Sequence, residues 1–104
     1  MTPPADARPE LQTLWQATLD DGTLAQLFAD LGAAAEVLSV QAKADPRRPA
    51  AADPLTLAAA RDRLTAGDAR AVQVRYRYDG CEWTDTVLRV PGGYRLVRMQ
   101  VPAA

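Results

Sequence analysis

The 104-residue chain contains no histidine, one cysteine and one lysine. Without histidine there is no Ser-His-Asp or Cys-His catalysis, and the commonest zinc and non-haem iron ligand is missing. The lone Cys81 excludes an intrachain disulfide, a CxxC redox pair and a cysteine-rich zinc site. No apolar run approaches the roughly 18–20 residues that a membrane-spanning helix needs. The start, Met1-Thr2-Pro3-Pro4-Ala5-Asp6, has neither a basic residue nor an apolar stretch beyond it, so it does not read as a signal peptide. Together these features lead us to expect a cytoplasmic protein with no membrane association and no cofactor. The alanine-rich, arginine-over-lysine usage points to a GC-rich bacterial coding sequence.

What is present suits one ordinary domain. With 48% apolar and 24% charged residues the chain is neither disordered nor fibrous. Size scaling has folding bury roughly 65% of the surface of the extended chain, enough for one core without a metal or disulfide. The net charge of −1 conceals an asymmetry. Residues 1–60 set four cations against eight carboxylates, whereas residues 61–104 set eight arginines against five carboxylates. Such a split means either a basic binding face or an acidic half docked on a basic half of the same fold.

Along the chain, residues 1–8 read as a disordered leader and residues 9–101 as a single α+β domain. Pro9 and Glu10 suit the first turn of a helix. Leu11, Leu14, Trp15, Thr18 and Leu19 then follow helical spacing. Asp20-Asp21-Gly22 breaks that pattern. Thr23 with Gln26 reads as the capping box of a second helix carrying Leu24, Leu27, Phe28 and Leu31. The pair predicts an N-terminal αα-hairpin. Alternation over about 36–43 predicts a possible short strand, and residues 44–53 a surface loop. Asp53-Pro54 suits the start of a third helix, with Leu57, Ala60, Arg61 and Leu64 on one face and Gly67 ending it.

The last third alternates with period two. Val72, Val74, Tyr76 and Tyr78 oppose Gln73, Arg75 and Arg77, and Asp79-Gly80 is a two-residue hairpin turn. That turn sets Tyr78 against Cys81, Arg77 against Glu82, Tyr76 against Trp83, Arg75 against Thr84 and Val74 against Asp85. Pro91-Gly92-Gly93 turns the chain into a last strand over Tyr94–Val101. The expected architecture is therefore a three-stranded antiparallel meander packed on the helices. Its core is expected to join Val72, Val74, Tyr76, Trp83, Val87, Val97 and Met99 to Leu14, Trp15, Leu27, Phe28, Leu31, Leu57 and Leu64. Leu96 and Val90 would line the opposite face.

Arg75, Arg77, Arg89, Arg95 and Arg98 are the most conspicuous chemical cluster, since guanidinium forks suit phosphate and carboxylate recognition. Alternation puts Tyr76, Tyr78 and Trp83 on the face opposite Arg75 and Arg77, which is also how an amphipathic sheet over a helical core looks. No ribonucleoprotein signature accompanies the arginines, and the balanced charge argues against a dedicated nucleic-acid domain. Cys81, Glu82 and Asp85 are the one set that could be assembled into a thiol-based active site, with Arg75 or Arg77 supplying charge. Asp85 falls on the Tyr76–Trp83 face, where a carboxylate must be buried and paired or sit at the rim in water. Asp20, Asp21 and Asp30 lack calcium-loop spacing and read as helix-capping and solubilising groups. The sequence thus favours a small non-enzymatic accessory or adaptor domain that acts through a protein partner or a homo-oligomer, because arginine, tyrosine and tryptophan dominate interface hot spots. Anion or single-stranded nucleic-acid binding through the arginines stands second, and a Cys81-based enzyme third.

Overall fold

The computed structural model describes residues 14–43 and 55–102. The leader at 1–8, the helix start at Pro9 and Glu10, the loop at 44–53 and the Asp53-Pro54 cap lie outside the described residues. In order, the elements are β1 (Leu14–Leu19), α1 (Asp21–Ala34), β2 (Glu36–Lys43), α2 (Leu57–Ala66), β3 (Ala71–Tyr78), β4 (Cys81–Val90) and β5 (Gly93–Gln100). The five strands form one antiparallel sheet in the order β1-β5-β4-β3-β2. Strands β1 and β2 therefore run the same way at opposite edges, and α1 connects them across the sheet. The α+β class stands, but the three-stranded meander with three helices does not. Two further strands flank the meander, and the described residues hold two helices.

The expected αα-hairpin is overturned at its first member. Leu14–Leu19 is an edge strand paired to β5 through six consecutive residue pairs. Trp15, Ala17 and Leu19 alternate with the exposed Gln16 and Thr18, so the segment satisfies both periods, and a run this short cannot be assigned by period alone. The open hydrogen-bonding edge of β5 decides it. The helix that follows begins earlier than Thr23. Asp20 is its N-cap, its carboxylate accepting from the Thr23 amide at 2.7 Å, which holds that carboxyl below its ordinary range. In α2 the cap is Thr56, accepting from the Ala59 amide at 3.0 Å, so the helix starts at Leu57, three residues beyond the start expected at Pro54. Gly67 closes that helix in the left-handed region at φ 84°, as its position in the sequence implies.

The Asp79-Gly80 turn has both central residues at positive φ (52° and 78°) and sets the expected β3–β4 register. The second turn differs from expectation by one residue. Only Pro91 and Gly92 lie in the loop, so Val90 pairs with Gly93 and Val87 with Leu96. A one-residue slip reverses the facing of every later side chain. Tyr94 and Leu96 are therefore in the core, whereas Val97 and Met99 are on the opposite face, Met99 exposed.

The core lies between the helices and one face of the sheet. Leu24, Phe28 and Leu31 of α1 and Ala60 and Leu64 of α2 pack with Leu19, Val40, Ala42, Val72, Val74, Tyr76, Val87, Tyr94 and Leu96. Leu27, Leu57 and Trp83 are partly buried against this cluster. The other face carries Gln16, Thr18, Gln41, Lys43, Arg75, Arg77, Glu82, Arg95 and Met99, a partly polar surface with no helix over it among the described residues.

Candidate interaction groove

Asp85 is the only buried charged residue among those described, with no exposed surface. Register explains why it is tolerated. On the helix-side face Val74, Asp85, Arg98 and Trp15 form one row across β3, β4, β5 and β1. Arg98 meets the carboxylate side-on, with Nε 2.8 Å from Oδ1 and Nη2 2.8 Å from Oδ2. The Tyr76 hydroxyl donates to Oδ1 at 2.9 Å. Both carboxylate oxygens are thus engaged, which a buried charge requires. The hydrogen bond to Asp85 is the main cause raising the Arg98 pKa. Burial, reinforced by the Asp85 charge, pushes the Tyr76 phenol well above its ordinary value. The Trp15 ring covers the guanidinium at 5.3 Å from ring centre to Cζ.

Above this row the described residues leave a groove of about 770 Å³ between α1 and the sheet. Trp15, Ala17 and Leu19 form its β1 wall, Leu27 and Leu31 belong to α1, and Tyr76, Tyr78 and Trp83 close the far end. Arg98 also lines it, and Asp30 and Gln26 stand at its rim, Gln26 Nε2 donating to Asp30 at 2.8 Å. Its lining is mostly apolar and aromatic, with Thr18, Thr23, Gln26, Asp30 and Arg98 as the polar members. Nη1 of Arg98 has no hydrogen bond to any described residue, and no buried side-chain nitrogen or oxygen among them lacks a partner. No described residue takes its donors.

The five arginines do not share a face. Arg75, Arg77 and Arg95 project from the uncovered side; Arg89 and Arg98 belong to the helix side. Arg75 pairs with Glu82 at 2.5 Å and Arg77 with Glu36 at 3.1 Å. Arg89 donates to the Leu64 carbonyl at 2.7 Å, where it meets the negative end of α2. Arg98 is committed to Asp85, and only Arg95 makes no ion pair or side-chain hydrogen bond with a described residue. The thiol constellation is likewise dispersed. Glu82 faces the uncovered side with Arg75 and Arg77, and Asp85 lies four residues along β4 from Cys81, roughly 13 Å at strand rise. Among the described residues no three His, Cys, Asp or Glu side chains gather as metal ligands. Asp20 caps α1, Asp21 accepts from the Tyr94 hydroxyl at 2.9 Å and Asp30 bonds Gln26.

Sequence reasoning missed the groove because it placed Trp15 on a helix in the core. The alternation of Trp15, Ala17 and Leu19 was the signal that could have located the β1 wall. No described helix is long and apolar enough to cross a membrane. Comparison with protein-family models, curated proteins and solved structures finds no match to this chain.

Proposed function

We propose that this chain is a non-enzymatic interaction domain of the cytoplasm, which holds an extended, largely apolar segment of a protein partner in the groove between α1 and the sheet. The observation that supports it is the juxtaposition of an aromatic-walled groove with Nη1 of Arg98, whose donors no described residue takes. Because Asp85 already balances the guanidinium charge, those donors suit a neutral acceptor such as a peptide carbonyl. The rings of Trp15, Tyr78 and Trp83 suit apolar side chains on either side of it. Asp85 itself is closed off by Tyr76 and Arg98, which favours an anchoring role over general-base chemistry.

The chain's only two tryptophans both line the groove, so their emission reports occupancy. Titration with a panel of synthetic peptides alternating apolar and polar residues is expected to give a saturable emission change for a subset. Tyr78→Ala, at a residue 52% exposed, is expected to weaken it several-fold without unfolding the domain. A panel without any saturable response would refute the reading. Anion or single-stranded nucleic-acid binding is the second reading. Arg95 is the residue that favours it, and it requires a salt-sensitive response to inorganic phosphate or short RNA centred there.

A further inference from the structure

The two edges of the sheet are built differently. In β2 the register shifts between Val37 and Ser39, leaving Leu38 as an extra, exposed residue, and Glu36 and Lys43 stand at its two ends. A bulge and edge charges are the devices by which sheets refuse further strands. β1 has none of them. Its sequence, Leu14-Trp15-Gln16-Ala17-Thr18-Leu19, contains no charge and no proline, and it stays in register with β5 throughout. Among the described residues nothing pairs with its outer side.

The direction of its backbone groups follows from the hairpin. Val90 and Gly93 flank a two-residue turn and so form a hydrogen-bonded pair, as do Leu88 with Arg95 and Thr86 with Val97. The even-numbered residues of β5 therefore bond to β1, through Leu19, Ala17 and Trp15. The N–H and C=O groups of Gln16 and Thr18 point outward, away from the sheet.

We infer that this outer edge of β1 pairs antiparallel with β1 of a second copy, joining two sheets into one of ten strands about a two-fold axis. Only like-typed residues oppose each other in an antiparallel ladder, so Gln16 meets Gln16 or Thr18 of the second copy. No like charges meet in either register, which makes the strand self-complementary. The axis stands perpendicular to the sheet, so Trp15, Ala17 and Leu19 of both copies share the helix-side face. There each copy covers the partly exposed Trp15 and Ala17 at the other's groove wall. The inference stands whether or not the groove takes a partner segment.

Sedimentation velocity over a wide concentration range is expected to show a monomer–dimer equilibrium. Gln16→Pro removes an outward N–H that β5 does not use, as an edge strand permits, and is expected to leave a folded monomer. Gln16→Lys and Gln16→Glu are each expected to be monomeric alone and to form a heterodimer when mixed, a recovery that misfolding cannot produce. A wild-type chain that stays monomeric overturns the proposal, as does a dimer that none of these variants disturbs. Pairing of β1 with a strand of another protein, with no self-association, overturns it equally. Peptide titration of the Gln16→Pro monomer tests the groove separately, so failure of one reading is not failure of the other.

Discussion

Arg98 lies side-on against Asp85, two parallel hydrogen bonds of 2.8 Å joining a half-buried guanidinium to a carboxylate with no exposed surface. The two residues are direct cross-strand partners on β5 and β4. Tyr76 completes the arrangement from β3. Together the three residues tie β3, β4 and β5 to one another beneath the groove.

Removing one member of this pair should be far worse than removing both. Arg98→Leu leaves a buried carboxylate with only the Tyr76 hydroxyl, and a loss of about 3–5 kcal/mol is expected. Arg98→Leu combined with Asp85→Val restores an apolar row, and most of that loss should return. Urea unfolding of the two single variants and the double variant measures the coupling. Additive losses would show that the pair contributes nothing as a unit.

Tyr76 gives the domain an alkaline limit. Its folded pKa is raised above the ordinary value of 10, first by burial and then by the Asp85 charge. A raised pKa means that the folded state holds the phenolic proton more tightly. The stabilisation is complete below the unfolded value and is lost as pH climbs through the folded one. Near neutrality the titration of this residue should therefore leave the melting temperature unchanged with pH, and the melting temperature should fall above pH ~10. Tyr94, raised mainly by burial, works in the same direction. Tyr76→Phe should cost about 1 kcal/mol at neutral pH and shrink the alkaline fall, as thermal melts across that range will show.

Arg89 and Arg95 should separate cleanly in stability. Arg89→Ala frees the Leu64 carbonyl and removes a cation from the end of α2, a loss of about 1–2 kcal/mol. Arg95→Ala, at an exposed position without a partner among the described residues, should stay within about 0.5 kcal/mol of wild type. Chemical denaturation midpoints decide between them. Equal effects would mean that Arg89 is as dispensable as a surface residue.

Gly93→Ala should loosen the junction of β1 with β5. A methyl group at Gly93 would sit 2.5 Å from the Leu19 carbonyl oxygen, a backbone atom that cannot turn aside. A destabilisation of about 1–3 kcal/mol is expected. Amide exchange at Leu19 and Tyr94 should accelerate more than exchange in β3. Unchanged protection there would place the β1–β5 junction elsewhere.

Several elements were legible because their determinants are local. Asp79-Gly80 demands positive φ at two successive residues, and that alone sets the register from Tyr78–Cys81 through Val74–Asp85. Gly67 ends α2 for the same reason, and the alternation over 36–43 does mark a strand, β2. Asp85 was legible as a carboxylate on the Tyr76–Trp83 face, and it is buried and paired there. Its partner was not, because the facing of Arg98 depends on whether Gly93 belongs to the turn or to the strand. That one residue also carried Val97 and Met99 out of the expected core and brought Leu96 into it.

Residue order and composition dictate the α+β class, the β3–β4 hairpin and the end of α2 at Gly67, and they exclude histidine chemistry. These follow from backbone preferences and composition that no distant contact alters. Tertiary structure alone decided that Leu14–Leu19 is a strand, since its six residues fit both periods and only the unpaired edge of β5, far along the chain, can select one. It alone decided the groove as well. A wall contributed by Trp15 exists only once β1 lies beside β5, where hydrogen bonding to a distant strand outweighs a weak local helical preference.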